Sequence, residues 1–401
     1  MSALSLPPSY RPLDIEGLRA ELVSVPALAQ RLGGMAENWS IREVSDGNLN
    51  TVWLVHGPTG SLCAKQSLPH VRVDPSWKMP LDRTAFEKAW LENVAPFVGD
   101  AIPALLHFDP TLYLLITHCL DGYETLGPAL LKGHDPLPVA HRIGRFIAHT
   151  AFHTSPRGGP FEECARREQI FAGNTVLTRI TVDLVLSDPY RAHPRNHHHP
   201  ALADLVKQLH TDAQIHHAVC QMQERFLTSR QALLHGDLHA GSIMVKGTDT
   251  AVIDGEFALV GPIGFDCGMF AASLLLAGFA LPDTDARAHL ATALPLFAES
   301  FESEYRHLCA NGAPDADLAP AFLRHRRSVD EDELAVIRQD MAGFAAMEMI
   351  RRLTGYAQTA YFTMLPEPAC GEQQKKALTF AMQLMLDPAQ AWSRLMAPHF
   401  S

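Results

Sequence analysis

Residues 233–268 read LLHGDLHAGSIMVKGTDTAVIDGEFALVGPIGFDCG, and their order of apolar runs, glycines and acids predicts the fold around them. An apolar run ends at His235-Gly236-Asp237, which places Asp237 at the mouth of a loop. Two short strand-like runs follow, at 242–247 and 250–258. The segment therefore predicts a loop and a hairpin with acidic side chains where the apolar runs end.

Three acidic residues of this segment indicate which reaction the protein can catalyse. Side chains two residues apart point the same way in an extended chain, so we expect Asp254 and Glu256 to share one face. Phosphoryl transfer to a hydroxyl needs a carboxylate that positions the acceptor and metal ions that bridge the phosphates. Because Mg²⁺ takes carboxylate oxygens, we expect Asp237 as the hydroxyl-positioning base and Asp254 and Glu256 as metal ligands.

Each part of this pattern also has a simpler interpretation. Asp254-Gly255 alone is typical of a hairpin turn. His235 and His239 would suit a zinc pair if they lay on one helix, but Gly236 between them and the lack of a HExxH motif favour a structural His235 that bonds the loop backbone. Phosphoryl transfer is favoured by the joint order of a HGDLHAGS loop, a strand, a DGE triplet and a GFD triplet.

The chain changes character near residue 120. Residues 1–119 are strand-rich with one prominent helix, and residues 120–401 are mostly helical, so we predict an α+β fold with a small β-rich N-terminal lobe and a larger helical C-terminal lobe. The predicted helices cover 12–32, 82–98, 137–154, 162–172, 200–228, 284–311, 331–363 and 371–398. The predicted strands before the catalytic segment cover 39–55, with a turn at Asp46-Gly47, then 61–66 and 111–120.

Composition excludes several classes of protein. Of the 401 residues 47% are hydrophobic and 19% charged, which excludes a disordered chain. The net charge of −11 disfavours nucleic acid as a partner. The N-terminus does not resemble a signal peptide, and the apolar stretch Cys267–Leu281 is shorter than the roughly 18–20 residues that span a bilayer, so we expect a buried helix and no membrane partner. Seven scattered cysteines indicate reduced thiols and a cytoplasmic location.

These motifs resemble those of the 5-methylthioribose kinase family, a branch of the protein-kinase-like fold that includes aminoglycoside phosphotransferases and choline kinases. That family is characterised by HGDLHTGSI, here HGDLHAGSI, and by DPEFAFYGPMGFDIG, here DGEFALVGPIGFDCG. The resemblance implies Asp237 as the catalytic base and Asp254 and Glu256 as metal-binding residues. Gly255, in the same cofactor-binding segment, stands where the family usually has proline. The matching motifs extend over roughly 40–365.

The front of the chain matches the family in its nucleotide-binding motifs. SDGNLN at 45–50 corresponds to the family's GDGNLN, which implies a phosphate contact by Asn48, although the residues alone indicate only a hairpin. A buried ammonium such as that of Lys65 needs a partner, for which we expect Glu87. KQSLPHVR matches the family's KQALPYVR, which implies that Lys65 binds ATP phosphates. The triplet His118-Cys119-Leu120 stands where the family has Glu-Asp-Leu, which implies backbone contacts to adenine.

Two further motifs concern the acceptor. The loop VRVDPSWKMPLDR, 71–83, resembles the family's VRxxxxSWPLxxDR loop, which implies that Trp77 reaches toward the sugar; a surface loop whose tryptophan fills a gap is the alternative. A double arginine taken alone is typical of a solvated pair, but Arg351 and Arg352 project about 100° apart on a helix, so both cannot face solvent comfortably. Their match to the family's GTELIRRxxGxA implies contacts with the sugar and the transferred phosphoryl group, which suit a guanidinium.

The resemblance implies a homodimeric enzyme that uses ATP and Mg²⁺ to phosphorylate the anomeric hydroxyl of 5-methylthioribose, giving 5-methylthioribose 1-phosphate and ADP in methionine salvage. A phosphotransferase for another 5-substituted ribose, an aminoglycoside or an amino alcohol is the first alternative, because His118-Cys119, Ala240 and Gly255 depart from the family. A non-catalytic nucleotide-binding regulator is the second. The histidines 197–199 have no counterpart in the family and fit either a solvated loop or a metal site.

Overall fold

The computed structural model describes residues 7–44, 49–311, 329 and 331–400. The chain forms two compact units. The first unit combines Met1–Tyr123 with the short segment Ile253–Phe257, and the second combines Glu124–Val252 with Ala258–Ser401. The division of function between residues 1–119 for the nucleotide and 120–401 for the substrate stays a prediction.

The described residues of the first unit form a five-stranded sheet and three α-helices. Its elements are α1 (Ile15–Ser24), α2 (Pro26–Leu32), β1 (Ser40–Val44), β2 (Asn50–His56), β3 (Ser61–Ser67), α3 (Arg83–Val98), β4 (Leu105–Asp109) and β5 (Leu114–His118). The strands pair antiparallel in the order β1-β2-β3-β5-β4. Apolar side chains of α1, α2 and the sheet form one core cluster, which includes Leu18, Leu22, Leu28, Leu32, Trp53, Val55, Leu62, Ala64, Leu114 and Ile116.

The strand registers align the ends of three neighbouring strands. His56 at the end of β2 pairs with Ser61 at the start of β3. Leu62 of β3 pairs with His118 at the end of β5. Side chains at these strand ends are therefore neighbours, although distant parts of the sequence supply them.

The second unit is mostly helical and carries two small β-ribbons. Its elements are β6 (Glu124–Thr125), α4 (Leu126–Leu131), α5 (Pro136–Thr154), α6 (Phe161–Phe171), α7 (Thr175–Leu184), α8 (Ala203–Thr211), α9 (Ala213–Thr228), β7 (Ala232–Leu234), β8 (Ile243–Lys246), β9 (Asp249–Val252), β10 (Leu259–Gly261), α10 (Gly264–Ala280), α11 (Thr284–Asn311), α12 (Glu331–Thr354), α13 (Ala369–Leu386) and α14 (Pro388–Met396). Strand β7 pairs with β10, and β8 pairs with β6 and β9. The loop between β7 and β8 is therefore anchored at both ends.

Helix α10 lies at the centre of the second unit. Every residue from Gly264 to Ala280 is buried, which confirms the predicted buried helix over Cys267–Leu281. A Cβ at Gly268 would lie 2.8 Å from backbone atoms of Met341 and Ala345. Glycine therefore allows the close approach of α12, the helix that carries the two arginines.

Within the described ranges, no helix taken alone has both the length and the apolar composition to cross a membrane. The segments Phe161–Phe171 and Thr175–Tyr190, bent by 71° relative to each other, meet that test only when they are taken together. All seven cysteines are free thiols; four are buried, Cys63 and Cys164 are half-buried, and Cys220 is exposed.

Four predicted helices are divided or shortened in the structure. The breaks fall at residues that stop or restart a helix: 12–32 at Pro26, 200–228 at Asp212, 331–363 at Gly355 and 371–398 at Pro388. Proline has no N–H to continue the hydrogen-bond ladder. Asp212 restarts the chain as α9, because its side chain accepts the N–H of Gln214 at 2.8 Å. The sequence patterns did not predict α4, α7 or β4.

The expectation that 250–258 forms one extended strand is wrong. Strand β9 ends at Val252, Asp254 has a φ of +66°, and Gly255–Phe257 forms a 3₁₀ turn. The left-handed backbone, which aspartate tolerates better than most residues, turns the chain out of the strand. Asp254 and Glu256 are therefore not placed on one face by an extended chain. A hairpin turn at Asp254-Gly255 is also excluded, because β9 pairs with β8 and β10 pairs with β7.

Candidate active site

Lys65 is a buried cation held by two carboxylates. It lies on β3 with its side chain 9% exposed, and its Nζ atom lies 2.6 Å from Oε2 of Glu87 and 2.5 Å from Oδ1 of Asp254. The predicted pairing with Glu87 is therefore confirmed. Burial disfavours the ammonium, but Asp254, Glu87 and Glu256 outweigh that effect and raise the pKa of Lys65 well above its usual value. The side chain stays charged at neutral pH.

The segment 253–257 presents Asp254 to Lys65 on a tightly packed backbone. The Asp254 side chain is 49% exposed, so solvent reaches the carboxylate. A Cβ at Gly255 would lie 2.4 Å from Cε3 of the buried Trp90. The tryptophan ring therefore occupies the space that a side chain at residue 255 would need. The absence of a side chain here therefore reflects close packing against Trp90.

Glu256 lies beside a fully buried guanidinium. Nε of Arg83 lies 3.6 Å from Oε2 of Glu256, and the two side chains are 0% and 7% exposed. Asn50 donates its amide to the same carboxylate oxygen at 3.0 Å. The other guanidinium donors of Arg83 bond the carbonyl oxygens of Leu49, Leu68 and Pro80. Glu256 thus supplies the counter-charge of a cation that holds the surrounding loops.

The donor chemistry of this cluster fits a magnesium ion. Asp254 and Glu256 supply carboxylate oxygens, which Mg²⁺ prefers, and Mg²⁺ usually adds phosphate oxygens to one or two carboxylates. The three carboxylates of Glu87, Asp254 and Glu256 face the two cations Lys65 and Arg83. These five side chains carry one excess negative charge, so a divalent ion here would need the further negative charge that a polyphosphate brings.

In the second unit, Asp266 fixes the loop between β7 and β8. Its two carboxylate oxygens accept the backbone N–H groups of His235 at 2.7 Å and Gly236 at 3.0 Å. Gly236 has a φ of +83°, in the region that glycine adopts readily. Nδ1 of His235 accepts the N–H of Asp237 at 3.2 Å, which confirms His235 as a residue that bonds the loop backbone.

His239 and Ser242 hold the other side of this loop. The hydroxyl of Ser242 accepts the N–H of His239 at 3.0 Å and lies 2.7 Å from the carbonyl oxygen of Asp237. Nδ1 of His239 accepts the N–H of Gly241 at 2.8 Å, so the ring proton resides on Nε2. That nitrogen lies 3.3 Å from Oδ2 of Asp237. His239 therefore orients the Asp237 side chain.

Asp237 is a partly shielded carboxylate among cations. Its side chain is 24% exposed, and Nη2 of Arg351 lies 3.9 Å from Oδ1. Burial opposes ionisation, but His239, followed by Arg351 and Arg352, outweighs burial and holds the pKa of Asp237 well below its ordinary value. Asp237 is therefore ionised throughout the neutral range and can act only as a hydrogen-bond acceptor there.

Glu348 holds both arginines of α12. Its side chain is 1% exposed; Oε1 accepts a hydrogen bond from Nε of Arg352 at 2.6 Å, and Oε2 lies 2.9 Å from Nε of Arg351. The arginine side chains are only 9% and 16% exposed, which excludes a solvated pair. Glu348 and Asp237 balance the two guanidinium charges, so these four groups together are neutral.

Trp77, one of the predicted ligand contacts, lies in a loop of the first unit. Trp77 is half-buried in a turn, where its backbone N–H donates to the carbonyl oxygen of Asp74 at 3.0 Å. Asn48 lies outside the described residues. Their contacts with sugar and phosphate stay predictions.

The triplet 118–120 follows β5 directly. Nδ1 of His118 lies 2.6 Å from Nη2 of Arg31, Cys119 is buried, and Leu120 is half-buried. The side chains of His118 and Cys119 therefore contact other parts of the first unit. Adenine contacts by the backbone of this triplet stay a prediction.

Sequence reasoning missed four residues that organise the site: Arg83, His239, Asp266 and Glu348. Glu348 had a signal, because it precedes Arg351 and Arg352 by three and four residues, the spacing of neighbours on one helix face. Asp266 stood in the GFD triplet without an assigned role. The burial of Arg83 had no local signal, since its partners are loop carbonyl oxygens and a carboxylate far along the chain.

Known proteins define the class to which this chain belongs. The model of the phosphotransferase enzyme family matches residues 40–305, more than half of the chain. The chain is therefore a phosphotransferase by family.

Relatives define the family more narrowly. Methylthioribose kinase of Escherichia coli O45:K1 (strain S88 / ExPEC) is 34% identical over 402 residues, covering 96% of this chain and 96% of that protein. Methylthioribose kinase of Geobacillus sp. (strain WCH70) is 33% identical, covering 95% and 92%, and methylthioribose kinase 2 of Oryza sativa subsp. japonica is 32% identical, covering 89% and 88%. The chain belongs to the methylthioribose kinase family. This membership confirms the predicted α+β, protein-kinase-like fold class.

Solved structures that align with the chain include two kinases. A choline/ethanolamine kinase family protein from Mesorhizobium loti aligns with a TM-score of 0.46 and 16% identity, covering 95% of this chain and 97% of that one. Choline kinase from Cryptosporidium parvum Iowa II aligns with a TM-score of 0.46 and 11% identity, covering 96% and 98%.

Replacing Glu348 with glutamine should lower the free energy of unfolding by about 3–5 kcal/mol, because two buried guanidiniums lose their shared counter-charge. Urea unfolding followed by circular dichroism measures the change. The control Glu299→Gln removes an exposed carboxylate on α11 and should change stability by less than about 0.5 kcal/mol. Equal effects of the two substitutions would contradict the role assigned to Glu348.

Proposed function

We propose that the protein is an ATP-dependent kinase that phosphorylates the anomeric hydroxyl of 5-methylthioribose, releasing 5-methylthioribose 1-phosphate and ADP in methionine salvage. Membership of the methylthioribose kinase family supports the substrate. The observation that carries the chemistry is the ionised Asp237, oriented by His239 and close to Arg351.

Asp237 acts on the acceptor in this proposal. Its carboxylate accepts a hydrogen bond from the anomeric hydroxyl and aligns that oxygen for in-line attack on the γ-phosphorus. The new bond joins the sugar oxygen to phosphorus, the bond from phosphorus to the β-γ bridging oxygen breaks, and the hydroxyl proton passes to Asp237. A low pKa suits a group that must be ionised before the acceptor arrives.

In this proposal Arg351 and Arg352 stabilise the negative charge of the transferred phosphoryl group. Negative charge on the transferred phosphoryl group is stabilised by donors that are already in place, because no reorganisation is then needed during the reaction. Glu348 holds both guanidiniums from the buried side of α12, which fixes their orientation. We propose that they contact the sugar and the transferred phosphoryl group, and that Trp77 covers the sugar.

Residues of the first unit bind ATP in this proposal. Lys65, held by Glu87, contacts the phosphates, as does Asn48, and the backbone of 118–120 bonds adenine. Asp254 and Glu256, on either side of Gly255, would hold Mg²⁺ through carboxylate oxygens, and the bound ion would supply positive charge that offsets the charge of the phosphates. The homodimer and the cytoplasmic location implied at the sequence level also remain proposals.

The other acceptors are disfavoured by charge. An aminoglycoside or an amino alcohol is a cation and needs an excess of carboxylates, whereas Asp237 and Glu348 are balanced by Arg351 and Arg352. Another 5-substituted ribose fits these groups equally well and is the remaining second candidate. A non-catalytic regulator is disfavoured because the base, the lysine and the acidic residues are all present.

A coupled ADP assay tests the function. With ATP and Mg²⁺, 5-methylthioribose should give the fastest ADP release in a panel that includes ribose, an aminoglycoside and choline. Asp237→Asn should reduce kcat by about 10²–10⁴-fold while ATP binding, measured by calorimetry, is nearly unchanged, because the carboxylate acts on the acceptor hydroxyl. Faster turnover of a cationic acceptor would favour the first alternative, and no ADP release with any acceptor would favour the regulator.

The pH dependence of kcat/KM should report the environment of Asp237. Activity requires the ionised carboxylate, so Asp237 contributes an acid limb below the usual range of aspartate. Burial raises the pKa of Glu87 and of Asp266 to about 7, so these two groups titrate separately, at higher pH. His239→Gln removes the largest group that lowers the pKa of Asp237, so its acid limb should move to higher pH. The control His217→Gln, at an exposed position of α9, should leave the profile in place. An unshifted limb in His239→Gln would show that His239 does not set the ionisation of Asp237.

The two roles of Glu256 can be separated. Glu256→Gln and Asp254→Asn should each raise the Mg²⁺ concentration for half-maximal rate by about tenfold or more, since each removes a charged ligand. Glu256→Gln should also lower Tm, because Arg83 loses its counter-charge. Glu92→Gln, at an exposed position of the same helix α3, is the control for both readouts. A lower Tm with an unchanged Mg²⁺ requirement would restrict Glu256 to the structural role.

A further inference from the structure

Two clusters of metal-ligating side chains lie outside the site described above. Among the described residues, ligand atoms lie within 4.8 Å of one another in the triads His56–Cys119–Asp121 and His199–Glu367–Cys370. Each triad combines an imidazole, a thiol and a carboxylate. The two triads differ in whether Nε2 of the histidine is available to a metal ion.

The first triad forms where the ends of β2, β3 and β5 meet. His56 is the last residue of β2, and Cys119 follows the last residue of β5. The pairing of His56 with Ser61, and of Leu62 with His118, places these ends side by side. His56 lies on a strand, whereas Cys119 and Asp121 lie in the loop after β5. The triad therefore depends on the register of the sheet.

The distances suit one metal ion. Nε2 of His56 lies 2.7 Å from Oδ1 of Asp121, and Sγ of Cys119 lies 3.3 Å from the same oxygen. Ligands of a tetrahedral zinc ion, at about 2.0–2.3 Å from the metal, are separated by roughly 3.3–3.7 Å. A small widening of the contact between His56 and Asp121 would admit the ion.

The residues around the triad orient one of its ligands and leave the site open to solvent. The side chains of His56 and Asp121 are 47% and 51% exposed, so an ion reaches them from solvent, whereas Cys119 is buried and forms the inner wall. Ser61 donates a hydrogen bond to Oδ2 of Asp121. A ligating carboxylate is commonly oriented by a neighbouring donor of this kind.

The tautomer of His56 is compatible with metal binding. Its Nδ1 has no hydrogen-bond partner among the described residues, and its contact with Asp121 uses Nε2. At 2.7 Å from a carboxylate oxygen, Nε2 carries the ring proton and donates it to Asp121. Because Nδ1 is not engaged, the proton can move to Nδ1 when a metal binds the Nε2 lone pair.

In the second triad, both ring nitrogens of His199 are engaged in hydrogen bonds instead. Nδ1 of His199 accepts the N–H of Ala201 at 3.1 Å, so the proton resides on Nε2, which donates to Glu367 at 2.9 Å. A metal on Nε2 would force that proton onto Nδ1, against the N–H of Ala201. This contact accounts for one of the three consecutive histidines 197–199 without a metal.

We propose that His56, Cys119 and Asp121 form a zinc-binding site, with water as the fourth ligand. Thiolate, imidazole and carboxylate together favour Zn²⁺ over Mg²⁺, which takes oxygen ligands. Binding forms a bond from zinc to sulfur and releases the thiol proton to solvent, with no change of oxidation state. The bound ion would join the end of β2 to the chain that follows β5, within the segment 118–121.

Titration of the full-length protein with Co²⁺ as a spectroscopic probe tests this site. Wild type should develop a thiolate-to-Co²⁺ charge-transfer band that Zn²⁺ abolishes by displacement. Cys119→Ser should lose the band, and His56→Asn should weaken Co²⁺ binding by about 10–100-fold. The matched variants Cys370→Ser and His199→Asn, from the second triad, should keep wild-type spectra and affinity.

Thermal unfolding gives a second readout that does not depend on the thiol variant. Zn²⁺ should raise Tm of wild type, because a ligand that binds only the folded state stabilises it, and should not raise Tm of His56→Asn. No charge-transfer band in wild type, or a band that survives Cys119→Ser, would overturn the proposal. Loss of the band in Cys370→Ser alone would assign the metal to the second triad.

Discussion

A lysine ammonium buried in the middle of a sheet needs negative charge at hydrogen-bond distance, because an unpaired buried cation is too costly to keep. The first unit meets this need from two directions. Glu87 reaches Lys65 from α3, and Asp254 reaches it from a segment 189 residues further along the chain. The pairing places α3 beside β3, and it explains why 253–257 packs with the first unit rather than with the strands that flank it in sequence.

In the second unit the buried group that needs the opposite charge is a carboxylate rather than an ammonium. Here one buried carboxylate, Glu348, holds two guanidiniums, and the second negative charge is that of Asp237. Asp237 is consequently kept ionised by the cations it helps to balance. Buried charges in both units are thus arranged so that the groups assigned to chemistry are also needed for electrostatic balance, which ties the stability of the fold to its proposed activity.

Sequence reasoning was accurate where the signal was local or where a single charge required a partner. The buried helix α10 followed from its composition, and the pairing of Lys65 with Glu87 followed from the cost of burying an ammonium. The backbone at Asp254 could not be predicted, because a positive φ at a non-glycine residue has no signature of its own and depends here on the packing of Gly255 against Trp90. The triad at His56 depends on the register of strands that are distant in sequence. By contrast, the helix breaks at Pro26 and Pro388 had a clear local signal that the periodicity of apolar residues obscured.

The contact between Gly255 and Trp90 has a consequence for how this chain can change over evolutionary time. Proline, like every residue other than glycine, carries a Cβ, and the indole of Trp90 occupies the volume that a Cβ at position 255 would need. A lineage could therefore exchange glycine for proline only after, or together with, a smaller residue at position 90. The two positions are expected to show epistasis, so that each substitution is harmful alone and tolerated in combination.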